Sequence, residues 1–355
     1  MANPNDGTIK VGVSIGDING IGMEVIIKTF ADNRVLQDVT PIVYGSSKIA
    51  GYYKKNLNLN EFNFHLVRDS SEAQARKANL VNCWEEEVII NMGQANETGG
   101  KYALRSLEAA CKDLAAGKID VLVTAPLNKN MMQSERFKFP GHTEYLANMS
   151  NVDEALMLMA AGNLRVGVVT GHLPLAAVPS KITKERVLNF IRMMNHSLIR
   201  DFGVRKPKIA VLGLNPHAGE NGLLGEEDRQ HIEPAIKQAK QENILAMGPY
   251  AADGLFGSGN FKNFDGILAM YHDQGLVGFK ALSFDEGVNF TAGLPVVRTS
   301  PDHGTAYDLC GKNIASEASF RNAVYLAKEI FLSRKYYKEI NANPLQVQVA
   351  PVRGE

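Results

Sequence analysis

The chain repeats one pattern: a short, β-rich apolar run that stops abruptly at glycine, proline or a polar residue, followed by a stretch with helical periodicity. IKVGVSIG near Lys10, PIVYG at 41–45, DVLVTAPL at 120–127, RVGVVTGH at 165–172, KIAVLGLNPH at 208–217 and GILAMYH at 266–272 are such runs. Runs that are apolar throughout, without alternation, are what strands buried on both faces require, and the amphipathic stretches between them supply the covering layers. The pattern therefore predicts an α/β fold of doubly wound type, with ligands bound beyond the carboxyl ends of the strands.

The helices expected between the runs are Met23 to Phe30, a weak one near Ser46 to Lys54, a clear one from Thr98 to Gly117, Thr183 to Arg200, Glu226 to Glu242 interrupted by Pro234, and Glu317 to Leu332. Phe62 to Val67 and Val88 to Asn91 read as further strands, and a Gln-Gly turn is expected to break the chain after Asp273. The loop after the first run holds Gly16, Gly20 and Gly22, which match neither the GxGxxG fingerprint nor a Walker loop. Its amides could approach an anion at a helix start, or the glycines could serve a tight turn.

Composition narrows the partners. The 38 basic and 38 acidic residues cancel, which leaves no electrostatic footprint for nucleic acid or an anionic membrane, so a small molecule is the expected ligand. No segment approaches the apolar length of a spanning helix, and Cys83, Cys111 and Cys310 are odd in number and far apart. A cytoplasmic protein without a disulfide framework or thiolate metal site is the reading. At 355 residues the chain is long enough for two interleaved lobes.

Three runs end in histidine: His172, His217 and His272. Strand ends on one rim would bring them together, and three imidazoles with an open position suit a divalent metal acting as Lewis acid, zinc, cobalt or nickel being favoured by nitrogen ligands. Separate polar loop histidines are the alternative. Asp253 and Asp273 could serve as acid/base groups, orient a histidine, or sit in turns. His142 and Thr143 follow Gly141 at an apparent helix start, where they could meet an anion or where Thr143 could cap the helix. Lys280, Asn289 and Arg298 suit a phosphate or carboxylate, Lys as a point charge and Arg as a fork.

GHTE at 141–144, TGHLPL at 170–175, GLNPHAGE at 213–220, AMYHDQG at 269–275, GVN at 287–289 and RTSPDHGTA at 298–306 together resemble the 4-hydroxythreonine-4-phosphate dehydrogenase (PdxA) family, in the same order through nearly the whole chain. The resemblance implies the two-lobed α/β/α architecture of the isocitrate and isopropylmalate dehydrogenases, with the active site in the inter-lobe cleft. On this chain the lobes would be 1–140 together with 300–355, and 141–299. It also implies a homodimer with shared active sites. The implied activity is oxidation by NAD, with NADP as the alternative coenzyme, of 4-phosphooxy-L-threonine, with decarboxylation to 3-amino-2-oxopropyl phosphate, in pyridoxal 5'-phosphate biosynthesis. The family's metal ligands fall on His172, His217 and His272, with zinc expected first and magnesium, cobalt or nickel as other occupants. Its substrate contacts fall on His142, Thr143, Lys280, Asn289 and Arg298, while Asp253 and Lys280 are the candidates for proton transfer and no coenzyme-binding residue is indicated. Where relatives commonly read GDPAGIGPE, this chain has GDINGIGME, which bears on positioning near Asp17 and Asn19. Competing readings are a sister dehydrogenase of 4-phospho-D-threonate or 4-phospho-D-erythronate, a metal-dependent phosphohydrolase, and a non-catalytic phosphometabolite-binding module.

Overall fold

The computed structural model describes residues 8–132, 139 and 141–344. Twelve strands form one sheet: β1 (Ile9–Ser14), β2 (Val39–Gly45), β3 (His65–Val67), β4 (Asn79–Asn82), β5 (Val121–Thr124), β6 (Leu156–Ala161), β7 (Leu164–Thr170), β8 (Lys208–Leu212), β9 (Leu245–Tyr250), β10 (Gly266–Tyr271), β11 (Val288–Ala292) and β12 (Arg298–Pro301). Their spatial order is β3-β4-β2-β1-β5-β12-β11-β6-β7-β10-β8-β9. Both outer parts are parallel, whereas β12 to β11, β11 to β6 and β6 to β7 are antiparallel, so the centre of the sheet joins two parallel halves.

The helices are α1 (Gly22–Ala31), α2 (Asn33–Asp38), α3 (Ser47–Asn56), α4 (Glu97–Ala115), α5 (Lys129–Met132), α6 (His142–Met149), α7 (Lys184–Arg200), α8 (Glu233–Gln241), α9 (Ala252–Gly257), α10 (His272–Ser283) and α11 (Ala318–Ile340). One face of the sheet is covered without interruption. Val11 and Val13 of β1, Val123 of β5, Phe290 of β11, Leu158 of β6 and Val211 of β8 share one core with side chains of α1, α7, α8 and α11. On the opposite face the core is split in two. Ile42, Tyr44 and Leu122 pack with α4 and α6, while Val166, Val168, Ala210 and Ile267 pack with α9 and α10. Strand alternation makes both faces apolar, as the unbroken runs require. The gap between the two cores on that second face is the cleft, and it lies over the antiparallel centre.

Several expectations change here. Val88–Asn91 is loop, and the third strand of that region is instead β4, whose apolar content is too short to read. No turn follows Asp273, because α10 starts at His272 and runs straight through Gln274 and Gly275. Gln274 fastens this helix start to the sheet: its amide donates to the Gly213 carbonyl at 2.6 Å and its oxygen accepts from the Met270 N–H at 2.7 Å. Gly275 is needed for close packing, since a Cβ there would lie 2.9 Å from Val166 and 3.0 Å from Ala269. Pro234 stands at the start of α8, where its missing N–H is tolerated. Among the described residues no helix is long and apolar enough to cross a membrane, and the three cysteines are unpaired.

Candidate active site

The cleft floor is made by side chains that alternate onto the split face at the centre of the sheet. Arg298 opens β12, Thr124 closes β5, Asn289 and Thr291 belong to β11, and Met157 and Met159 to β6. Arg298 is 3% exposed, and its partners among the described residues are hydroxyls. Its Nε and Nη2 donate to Thr124 Oγ1 at 3.1 and 2.6 Å, and its Nη1 donates to Thr291 Oγ1 at 3.3 Å. Burial lowers its pKa to about 10, which keeps it charged near neutrality. A guanidinium in this setting has lost its hydration without gaining a direct ion-pair partner among the described residues, a condition that favours an anionic ligand.

Other groups converge on the same cavity of about 230 Å³. His142 begins α6 behind Gly141, its Nε2 enclosed and without a hydrogen-bond partner among the described residues, and burial, with Arg298 and Lys129 nearby, holds its pKa well below the usual imidazole value. It is therefore neutral near pH 7. Asn289 Oδ1 and His303 Nε2 are likewise enclosed and unpartnered. Thr143 lies in the first turn of α6 and lines the cavity, while the N-cap position belongs to Gly141, so Thr143 is not the cap. Lys280, on α10, donates to the Asp302 carbonyl at 3.2 Å and pairs with Asp302 Oδ1 at 3.1 Å. All five expected substrate residues, His142, Thr143, Lys280, Asn289 and Arg298, thus line one cavity.

The histidines are arranged less tightly. β7, β10 and β8 are adjacent and parallel, so His172, His272 and His217 leave the same edge of the sheet. The His172 and His272 rings lie 5.5 Å apart between centroids and both border the Arg298 cavity. Lys129 donates to His172 Nε2 at 3.4 Å, and burial, Lys129 and His272 lower the His172 pKa. The His272 Nδ1–H donates to Asp273 Oδ1 at 2.7 Å, which leaves Nε2 as its open nitrogen. His217 sits elsewhere, in a run of residues with positive φ from His217 to Asn221, 69% exposed at the side chain and 3.7 Å from Glu220. It shares a neighbouring pocket with Asp253 and Asp273. Asp253, exposed on α9, is therefore on that side and not in the Arg298 cavity. Among the described residues no three His, Cys, Asp or Glu side chains form a metal cage.

The glycine loop after β1 is a tight turn and not an anion cradle. Gly16 has φ +68°, and a Cβ there would sit 2.1 Å from the Pro126 carbonyl. The loop's amides are spent on protein: Asp17 N–H on Pro126 O, Gly20 N–H on Asp17 O, Ile21 N–H on Thr305 O and Asn19 N–H on Asp17 Oδ1. Asp17 and Asn19 are fully buried. Tyr307 donates to Asp17 at 2.6 Å, while Asn19 accepts from Asn91 N–H at 2.8 Å and donates to Asn96 at 3.0 Å. Burial raises the Asp17 pKa despite those donors.

Sequence reasoning assigned no role to Thr124, Thr291, Glu144, Asp302 or His303, all at or beside the cavity. A signal existed for two of them. Threonine ending the apolar run VLVT, and threonine alternating with Asn289 in VNFTA, put hydroxyls on the face that carries Arg298.

An α/β sheet whose divided face exposes a buried, hydroxyl-held arginine beside a pair of histidines defines a protein of small anionic ligands. The chain belongs to the family described as pyridoxal phosphate biosynthetic protein PdxA, whose sequence model matches residues 37–327. It is 49% identical over 348 residues to a 4-hydroxythreonine-4-phosphate dehydrogenase of Bacteroides thetaiotaomicron, covering 98% of this chain and 95% of that protein. It is 38% identical to a protein of Oceanobacillus iheyensis provisionally named as a D-threonate 4-phosphate dehydrogenase, covering 90% of this chain and 97% of that one. A solved 4-hydroxythreonine-4-phosphate dehydrogenase from Klebsiella pneumoniae superposes with a TM-score of 0.76 at 32% identity, over 91% of this chain and 98% of that structure.

Proposed function

We propose that this chain is an NAD-dependent dehydrogenase of 4-phosphooxy-L-threonine that oxidises the C3 hydroxyl and releases carbon dioxide, giving 3-amino-2-oxopropyl phosphate for pyridoxal 5'-phosphate synthesis. The observation that carries this reading is Arg298, buried, charged and held only by hydroxyls, in a cavity that also receives His142 and Asn289. The phosphate is the natural counter-ion for Arg298, with Lys280 as a second cation and Asn289 and His142 as orienting polar groups. Neutral His142 can accept or donate a hydrogen bond without adding charge.

The same grip fixes which carbon faces the rim where His172 and His272 stand, and this positioning is the main catalytic contribution of these side chains. His172 and His272 would hold a divalent metal, zinc being the first choice, with His217 as third donor. Their donor chemistry fits, since the Asp273 contact leaves His272 Nε2 open in the manner of a metal-ligating histidine. Such an ion supplies Lewis acidity at the substrate hydroxyl. Lys280 lines the cavity while Asp253 lies in the neighbouring pocket, so Lys280 is the better placed proton-handling group. We further read the chain as two lobes, 1–140 with 300–355 and 141–299, in a cytoplasmic homodimer whose second copy completes each site, NADP being the other possible coenzyme.

The test is a coupled assay with 4-phosphooxy-L-threonine and NAD, with and without chelator. NADH formation abolished by chelation supports the reading, whereas absence of turnover on this substrate sinks it. The Oceanobacillus relative keeps one second reading in play, oxidation of 4-phospho-D-threonate. A higher kcat/KM on the sugar-acid phosphate than on the amino-acid phosphate would decide for it.

A further inference from the structure

Among the described residues, Asp302 is one of two carboxylates that border the Arg298 cavity, the other being Glu144. Its place is fixed from three directions. Its backbone N–H donates to the Gly287 carbonyl at 3.2 Å and to Ser319 Oγ at 3.1 Å, and Ser319 Oγ in turn donates to Gly287 O at 2.7 Å. A Cβ on Gly287 would lie 3.1 Å from Asp302, so this corner is closely packed. Lys280, by contrast, reaches it on a flexible stem from α10. Two of its three N–H donors are accounted for by Asp302, through Oδ1 at 3.1 Å and the carbonyl at 3.2 Å.

We propose that Asp302 is a positioning residue that holds Lys280 in a single orientation and, by sharing its charge, weakens the site's grip on the bare anion. The proposal rests on the anion-binding reading of the cavity. The remaining Lys280 donor is then aimed at the ligand rather than swinging among solvent positions, and the Asp302 charge offsets part of the positive field of Lys280, Lys129 and Arg298. Such an arrangement sacrifices ground-state affinity for orientation. That trade favours turnover over tight binding of phosphate itself. Burial raises the Asp302 pKa even with Lys280 beside it, in keeping with a carboxylate enclosed at the cavity wall.

Asp302→Asn keeps the shape and removes the charge. We expect kcat to fall about thirtyfold while KM for the phosphorylated substrate falls about threefold, a split that general damage to the fold does not produce. Binding of inorganic phosphate to the full chain, measured by calorimetry without coenzyme, should tighten about fivefold at low salt, the gain shrinking as salt screens it. Asp302→Glu should return kcat most of the way. A KM that rises together with the loss of kcat, or phosphate affinity unchanged in Asp302→Asn, overturns the proposal. Tighter phosphate binding in a protein that does not turn over 4-phosphooxy-L-threonine would uphold the role of Asp302 and remove only the reaction assigned above.

Discussion

Two groups of polar residues border the cleft, and they differ in how completely one chain assembles them. The Arg298 cluster is finished: its cation is buried, its hydroxyl supports are in place, and its unpartnered acceptors are enclosed. The histidine rim is not, because His172 and His272 are neighbours while His217 stands in the next pocket on a backbone run of positive φ. The difference follows from what carries each group. Arg298, Asn289, Thr124 and Thr291 project from strands, whose pleat fixes side chains to within the rotamer, whereas the histidines follow strand ends and loops. The proposed anion site is thus set in place by the fold, whereas the proposed metal site would need loop closure or a second copy to gather all three histidines.

The largest effect should come from the finished cluster. Arg298→Ala should lower kcat/KM by about a thousandfold, since two or three charge-assisted hydrogen bonds are lost together. Inorganic phosphate should then no longer raise the thermal midpoint. A residual kcat/KM within tenfold of the parent would move the anion site away from β12. On the rim, Asp273→Asn should weaken metal affinity by about tenfold to a hundredfold by releasing His272 Nδ1. Phosphate binding should be unchanged in that variant. Coupled loss of both would break the separation between the two groups.

The sequence made the strands legible because unbroken apolar runs are rare. Asn289 and Arg298 stood out differently, as polar residues flanking a glycine- and proline-rich stretch, and their substrate role came with the family resemblance. Their place on antiparallel strands at the centre of the sheet was not legible. Nothing in VNFTAGLPVVRTSP announces that β11 runs against both neighbours. The reading of HDQG as a turn failed because glycine served close helix packing at Gly275, a need set by Val166 and Ala269 far away in sequence. The GDINGIGME departure also reads differently with its partners in view. Asn19 ties the loop to Asn91 and Asn96 by side-chain hydrogen bonds, a local anchor that holds the turn in place.

A smaller effect tests how far strand placement preorganises the cluster. Thr124→Val is close to isosteric but removes the acceptor shared by Arg298 Nε and Nη2. The guanidinium would keep its burial and lose its aim, so KM should rise about tenfold with little change in the thermal midpoint once phosphate is bound. An unchanged KM would mean that Thr291 and packing suffice to orient it.

The smallest effect is one of pH on stability, and its sign follows from which side chains burial keeps unprotonated. His142 and His303 have pKa values lowered chiefly by burial from the ordinary 6.5, so near and below that pH the unfolded chain takes up protons that the folded chain refuses. Unfolding then binds protons, and stability must fall as pH drops below about 6.5, with the loss ending only when the folded imidazoles themselves protonate. Asp17 and Asp302 act in the opposite sense, because their raised pKa values make the folded chain the better proton acceptor: that gain starts as pH falls through their raised folded values and is complete only below 3.8. Near the ordinary histidine value of 6.5 the imidazoles therefore set the slope, and the thermal midpoint should decline on acidification there. His303→Gln should flatten that slope, because it removes one of the imidazoles whose pKa burial lowers. A slope left unchanged by this substitution would show that the His303 ring is not enclosed in solution.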